Sequence, residues 1–271
     1  MILKYIIVIL HYPRGKGKVP PLKELYEALI ESIPAQVRVL AAIRGRWQSY
    51  AETEEGAGLA SLLIPGKIPY TDTREYSRWI GRPLRDLAAL IRGGEEEQSE
   101  AMGCAAINAW FNTRSRMAAA GALLYPPESE EGHVFRTLEP EWAGKTVATV
   151  GHFHGGEVLR SIKALWVFEK EPQPGDYPEE MEDTLLPTAD AVVITGMALT
   201  NGTLPRLLEL CAGKRVALSG PSVPMTPLLF DYGVSDLFGT LAWDIPGCRR
   251  AVREGGHKET WPCMGKAVLR K

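Results

Sequence analysis

The stretch DAVVITGMALTNGTLPRLLELCAGKRVALSG, Asp190 to Gly220, decides the fold. A short run of β-branched apolar residues ends in glycine. A helix pattern follows, with Thr203 at the expected N-cap, Pro205 in the first turn and Gly213 just past the end. A second apolar run then closes on Ser219 and Gly220. Strand, loop, helix, strand is the order of a parallel crossover.

The same order extends in both directions. "TVATVG" and "ALWVFE" precede it as strands, and "DLFGTLAWD" follows. Helices are expected at "GEVLRSIK", "YPEEMEDTLL", "TPLLFDYG" (Thr226 as cap, Pro227 at the first position) and "GCRRAVREGG". Short apolar strands alternating with helices predict right-handed crossovers and a Rossmann-like parallel sheet covered on both faces.

The first half is patterned differently. "MILKYIIVIL" is too short to span a bilayer and reads as a buried strand. "PLKELYEALIESI" has Leu22, Leu25, Tyr26, Leu29 and Ile33 at helical spacing. "QVRVLAAIRGRWQSYAETE" alternates, with a turn near Gly45. "EEGAGLASLLIPGKIPY" reads as a Gly/Pro-rich connection. "RPLRDLAALI" is a helix with Pro83 in its first turn. "GGEEEQSEAMGCAAINAWFNTRSRMAAAGAL" reads as one long helix whose small residues allow close backbone packing. The polar, proline-bearing "YPPESEEGHVFRTLEPEWAGK" sets a boundary near residue 130. The expected α/β protein therefore has an α+β domain over 1–130 and a Rossmann-like domain over 131–271.

With 31 Lys and Arg against 33 Asp and Glu, no basic field exists to hold nucleic acid. The four cysteines form no CxxC pair, which fits reduced thiols in a cytoplasmic protein. The Asn201-Gly202-Thr203 sequon carries no meaning in that compartment. No membrane segment is expected. The apolar Trp110–Phe111 segment is a candidate homodimer surface.

Ligands of open parallel sheets bind beyond the carboxyl ends of the strands. That rule selects the loops "GHFHGG", "EKEPQPGDYP", "GMALTNGT" and "GPSVPMTP". The first fails the GxGxxG dinucleotide fingerprint. Glu169 nevertheless ends the second strand, where an acidic group commonly meets ribose hydroxyls. His152 and His154 are candidate ligands for a transition metal ion, with no third ligand near in sequence. Thr195, Thr200, Asn201 and Thr203 offer hydroxyl and amide groups, and Ser222 a further donor. Asn108 is a polar residue among small ones, either satisfied internally or facing a cleft. His133 and His257 read as exposed.

"AMGCAAINAW", "VGHF", "LWVFEKEPQPGDYP", "LLPTADAVVITGMALTNGTLPRLLEL", "GPSVPMTPLLFDYGVSDLFGT" and "REGG" together resemble the putative heavy-metal-chelation family, from about residue 55 onward and in the same order. The resemblance implies an enolase-N-terminal-like α+β domain followed by a Rossmann-like domain, with the site in the cleft between them. Carried over residue by residue, that site involves Asn108, His152, Glu169, Asp176, Thr195, Asn201, Pro221 and Ser222. Two departures stand out. His154 occupies a position where the family has proline, so it inherits no role. Met197 replaces a hydroxyl-bearing residue.

Two functions follow as expectations. One is a protein that binds a small metal-chelating or metal-containing ligand in the interdomain cleft. The alternative is a Rossmann-type enzyme using a nucleotide-like cofactor such as S-adenosylmethionine, anchored by Glu169. A non-catalytic carrier is a third. Sequence leaves open whether a reaction is catalysed.

Overall fold

A computed structural model describes residues 20–63, 73–95 and 97–271. The expected first strand, Met1 to Leu10, lies outside them. The chain folds as an α/β protein with two sheets. In the first half the strands are β1 (Ala41–Arg44), β2 (Gln48–Glu52), β3 (Ala57–Ser61) and β4 (Arg74–Glu75). They form an antiparallel sheet in the order β3-β2-β1-β4. The turn near Gly45 is a hairpin, closed by Gly45 N–H donating to the Gln48 carbonyl at 2.9 Å.

The second sheet has eight strands. They are β5 (Leu123–Tyr125), β6 (Thr146–Val150), β7 (Ala164–Glu169), β8 (Tyr177–Pro178), β9 (Ala191–Thr195), β10 (Arg215–Ser219), β11 (Asp236–Ala242) and β12 (Met264–Arg270). Their order is β5-β12-β11-β10-β9-β6-β7-β8. All pairs from β11 to β8 are parallel, whereas β12 is antiparallel to both β11 and β5. Numbered along the chain, the parallel strands run 3-2-1-4-5-6, the doubly wound order whose direction reverses between the first and fourth strands. That switch point lies between β6 and β9. Leu123–Tyr125 precede residue 130 yet belong to this sheet.

The helix Ser99–Phe111 joins the two sheets, and eleven of its thirteen residues are buried. It can lie so close only because of two glycines. A Cβ on Gly58 of β3 would stand 2.1 Å from the Ala109 nitrogen, and one on Gly103 2.1 Å from the Ile91 nitrogen. This explains β3, which reads as a loop. Its sequence AGLAS has no β-branched residue, because the helix leaves no room for one.

The expected single long helix is interrupted. Asn112 leaves helical geometry at φ −91°, ψ 37°, and Thr113 caps a second helix, Arg114–Ala119, by accepting from Arg116 N–H. The Asn112 side chain is spent on the other sheet. Its Nδ2 donates to the carbonyls of Val223 (2.9 Å) and Thr240 (3.0 Å), and its Oδ1 accepts from Met225 N–H (2.8 Å). A second tie is ionic. Arg249 Nε donates to Glu52 Oε2 at 2.8 Å, and the same carboxylate accepts from Tyr50.

Other expectations differ in detail. "GEVLRSIK" supplies only a short 3-10 turn, Gly156–Val158. Thr203 sits at the cap position, but its hydroxyl donates back to Asn201 Oδ1 at 2.7 Å. In the Trp110–Phe111 segment Phe111 is buried, and the Arg116 guanidinium lies 3.3 Å from the centre of the Trp110 ring. Among the described residues no helix is long and apolar enough to cross a membrane.

Replacing Asn112 by alanine strands three buried backbone groups, each worth about 1–3 kcal/mol. Urea unfolding of Asn112→Ala is expected to show a loss of at least about 3 kcal/mol. Gly58→Ala, which forces the helix off β3, is expected to lose at least as much.

Candidate functional site

The loops that leave β6 and β9 meet at the switch point. Gly151 turns the chain at φ +98°, which favours glycine, and a Cβ there would meet the Thr195 side chain at 3.1 Å. The turn points His152 toward the ends of β7 and β8. Glu169 Oε1, at the end of β7, accepts from His152 backbone N–H (2.7 Å) and lies 3.1 Å from its Nδ1. Asp176 Oδ2 lies 2.9 Å from His152 Nε2 and also accepts from Gln173 N–H at 2.7 Å. Both ring nitrogens therefore face carboxylates.

A pocket of about 540 Å³ opens beside this triad. Its floor is apolar, with Val150, Phe168, Met197 and Ala198, and Leu63 contributes from the segment that follows β3. On one side stand Glu169, Glu171, Glu179 and Glu182, with Lys170 among them. On the other are Thr195, Asn201 and Thr203. Asn201 uses only its Oδ1, accepting from Thr203, and Thr195 Oγ1 accepts from Met197 N–H at 3.4 Å. The lining thus combines carboxylates with the hydroxyl and amide groups of Thr195, Thr203 and Asn201.

Of the sequence-derived site residues, His152, Glu169, Thr195 and Asn201 line this pocket, and Asp176 holds His152 at its edge. Asn108, Pro221 and Ser222 lie elsewhere, in the seam between the central helix and the loop after β10. Asn108 is buried and donates through Nδ2 to the carbonyls of Leu59 (2.8 Å) and Pro221 (3.0 Å). Ser222 Oγ accepts from Ser61 N–H at 2.9 Å. These three bind one sheet to the other.

His154 is exposed and makes no ion pair with the carboxylates that hold His152. Among the described residues no group of three or more His, Cys, Asp or Glu is placed to hold a metal ion. His152 already has a carboxylate on each nitrogen, so its imidazole does not present a free donor. The pocket residues as they stand do not fit a directly coordinated metal. His133 is not simply exposed. It packs beneath the turn, where a Cβ on Gly155 would meet its ring at 2.8 Å, and burial holds its pKa below the ordinary histidine value.

Residues 133–270 match the DUF364 family model, described as "putative heavy-metal chelation". The DUF4213 model, with the same description, matches residues 26–111. The chain belongs to the DUF364 family. It is similar to the crystal structure of a DUF364 protein of unknown function from Desulfitobacterium hafniense, at 29% identity and a TM-score of 0.79, covering 92% of this chain and 98% of that one. A second DUF364 structure, from Pyrococcus horikoshii, is 20% identical with a TM-score of 0.68, covering 92% of this chain and 99% of that one. The latter likeness concerns the fold alone. No curated protein matches the chain.

The acidic side of the pocket escapes the sequence reading. Glu179 and Glu182 fall in a segment that looks like an ordinary helix. They reach the pocket because Tyr177–Pro178 adds a strand too short to recognise, which sets the acidic run at a strand's carboxyl end. Glu182 is buried, and burial raises its pKa, although Arg206 at 2.7 Å offsets part of this. A carboxylate raised on folding contributes stability at low pH and loses it as pH rises through the folded value. The contribution of Glu182 to stability is therefore expected to fall as pH climbs above about 4.3, the ordinary glutamate pKa. Glu182→Gln should flatten that limb in urea titrations taken at successive pH values.

Proposed function

We propose that this DUF364 member binds a small molecule carrying a positive centre in the switch-point pocket, with a metal ion arriving already held by an organic chelator. The observation that carries this is the two-sided lining. Four carboxylates face the hydroxyl and amide groups of Thr195 and Asn201 across an apolar floor. The volume of about 540 Å³ falls within the range of small-molecule sites. A chelate brings its own coordinating atoms, so the pocket need supply only charge, hydrogen bonds and shape. The family description of heavy-metal chelation agrees with such a ligand.

His152 then has a definite part. Its ring lies between Glu169 and Asp176, and a ligand cation that takes over either carboxylate displaces it.

A nucleotide-like cofactor is the second reading, favoured by Glu169 at the end of the strand beside the switch point. S-adenosylmethionine fits better than a dinucleotide. It carries positive charge and no phosphate, whereas four glutamates repel phosphate. The loop after β6 also leads into a 3-10 turn of three residues, which lacks the helix N-terminus that a diphosphate uses. Against this reading, Glu169 is already occupied by His152.

Titration calorimetry with a free divalent ion, an aminocarboxylate chelator and their complex separates these cases. The complex is expected to bind and the free ion not. Thr195→Val and Asn201→Ala should each weaken binding about 3–10-fold, the value of one hydrogen bond. Equal binding of the free ion overturns the chelate reading. A thermal shift with adenosine compounds alone favours the second, because a ligand at 100 times its dissociation constant stabilises by about 2.7 kcal/mol.

A further inference from the structure

The carboxylates and imidazole of the pocket are hard or intermediate donors, whereas heavy metals of soft character prefer thiolate. The soft donors of this chain lie elsewhere. Cys104 and Cys211 are each buried, and neither has a cysteine among its charged or hydrogen-bonding neighbours. Cys248 and Cys263 are different. Cys248 lies in the helix Ile245–Arg253 and Cys263 ends the 3-10 segment Lys258–Cys263 that leads into β12. A Cβ on Gly247, next to Cys248, would stand 3.3 Å from the Cys263 Cβ, so the two cysteines lie side by side. Cys248 Sγ also approaches the Cys263 carbonyl at 3.1 Å, and Cys263 Sγ the Thr260 carbonyl at 2.9 Å.

We propose that Cys248 and Cys263 form a two-thiolate site for a soft cation that accepts two-coordinate sulfur ligation, of which mercuric ion is the type. Two thiolates neutralise one divalent ion, so the product carries no net charge. That matters because both sulfurs are buried, and an uncompensated charge there would be expensive. A single cysteine such as Cys104 would leave the ion dependent on a second ligand from solution, which a competing thiol can strip away. The step is a ligand exchange without redox change. Two S–H bonds and the metal's bonds to two outgoing ligands, chloride or water, break; two metal–sulfur bonds form, and two protons and the displaced ligands leave for solvent.

Residues 257–259 and Trp261, beside Cys263 in the chain, are exposed. The site is separate from the switch-point pocket and stands or falls without it.

The test uses the full chain with one equivalent of mercuric chloride, then an excess of the monothiol 2-mercaptoethanol, then desalting. Retained mercury is counted and its sulfur shell measured by X-ray absorption. Wild type and the double variant Cys104→Ser/Cys211→Ser are expected to keep close to one ion per chain with two sulfur neighbours. Cys248→Ser and Cys263→Ser should retain at least tenfold less while keeping a cooperative thermal transition. The double variant leaves both proposed ligands in place, so it decides the matter even where a serine at 248 or 263 unfolds the chain. Loss of mercury from the double variant, or full retention in folded Cys248→Ser, overturns the proposal.

Discussion

The close approach of backbone to backbone around the helix Ser99–Phe111 is the constraint on which the arrangement rests. Gly58 and Gly103 permit it, and any side chain at either position would have to displace a main chain. Once the helix is seated, Asn108 and Asn112 project toward the carboxyl-end loops of the parallel sheet and bind them by their carbonyls and amides. These hydrogen bonds are directional, so they fix the loop after β10 more closely than apolar packing alone could. The loop after β9 is held in turn, since Gly196 N–H donates to the Ser219 carbonyl at 2.8 Å. The pocket is shaped by elements that start from the first half of the chain.

Much of this is written in the sequence. Asp190 to Gly220 shows its strand, helix and strand because apolar runs, a proline and a glycine all agree there. The rule that ligands bind beyond the carboxyl ends of parallel strands then selects the loops that carry His152, Glu169, Thr195 and Asn201, whereas the strand order is seen only in the structure. What fails to show does so for physical reasons. β3 has the composition its neighbour demands rather than that of a strand. Asn112 and Thr113 break a helix whose apolar pattern continues through them. β12 follows a helix that reads as final, and its antiparallel pairing needs no crossover.

The site is harder to read than the fold, because residue type does not reveal what a side chain is spent on. Asn108 and Ser222 look like ligand donors and serve as ties between sheets. His152 and His154 look like a pair, yet one is held between two carboxylates and the other faces outward. The glutamates of the acidic side, by contrast, look like solvated surface and line the pocket. Charge balance over the whole chain hides this, since a net charge of −2 is compatible with a local excess of carboxylates.

The outermost parallel strand has one more effect. β8 is two residues long, and the second of them is Pro178, which has no N–H to offer a neighbour. A sheet that ends on proline cannot be lengthened on that flank by a strand from another molecule. Crowded copies of the protein are thereby kept from zipping together edge to edge beside the pocket mouth, and the glutamates that follow the proline add mutual repulsion to the steric stop.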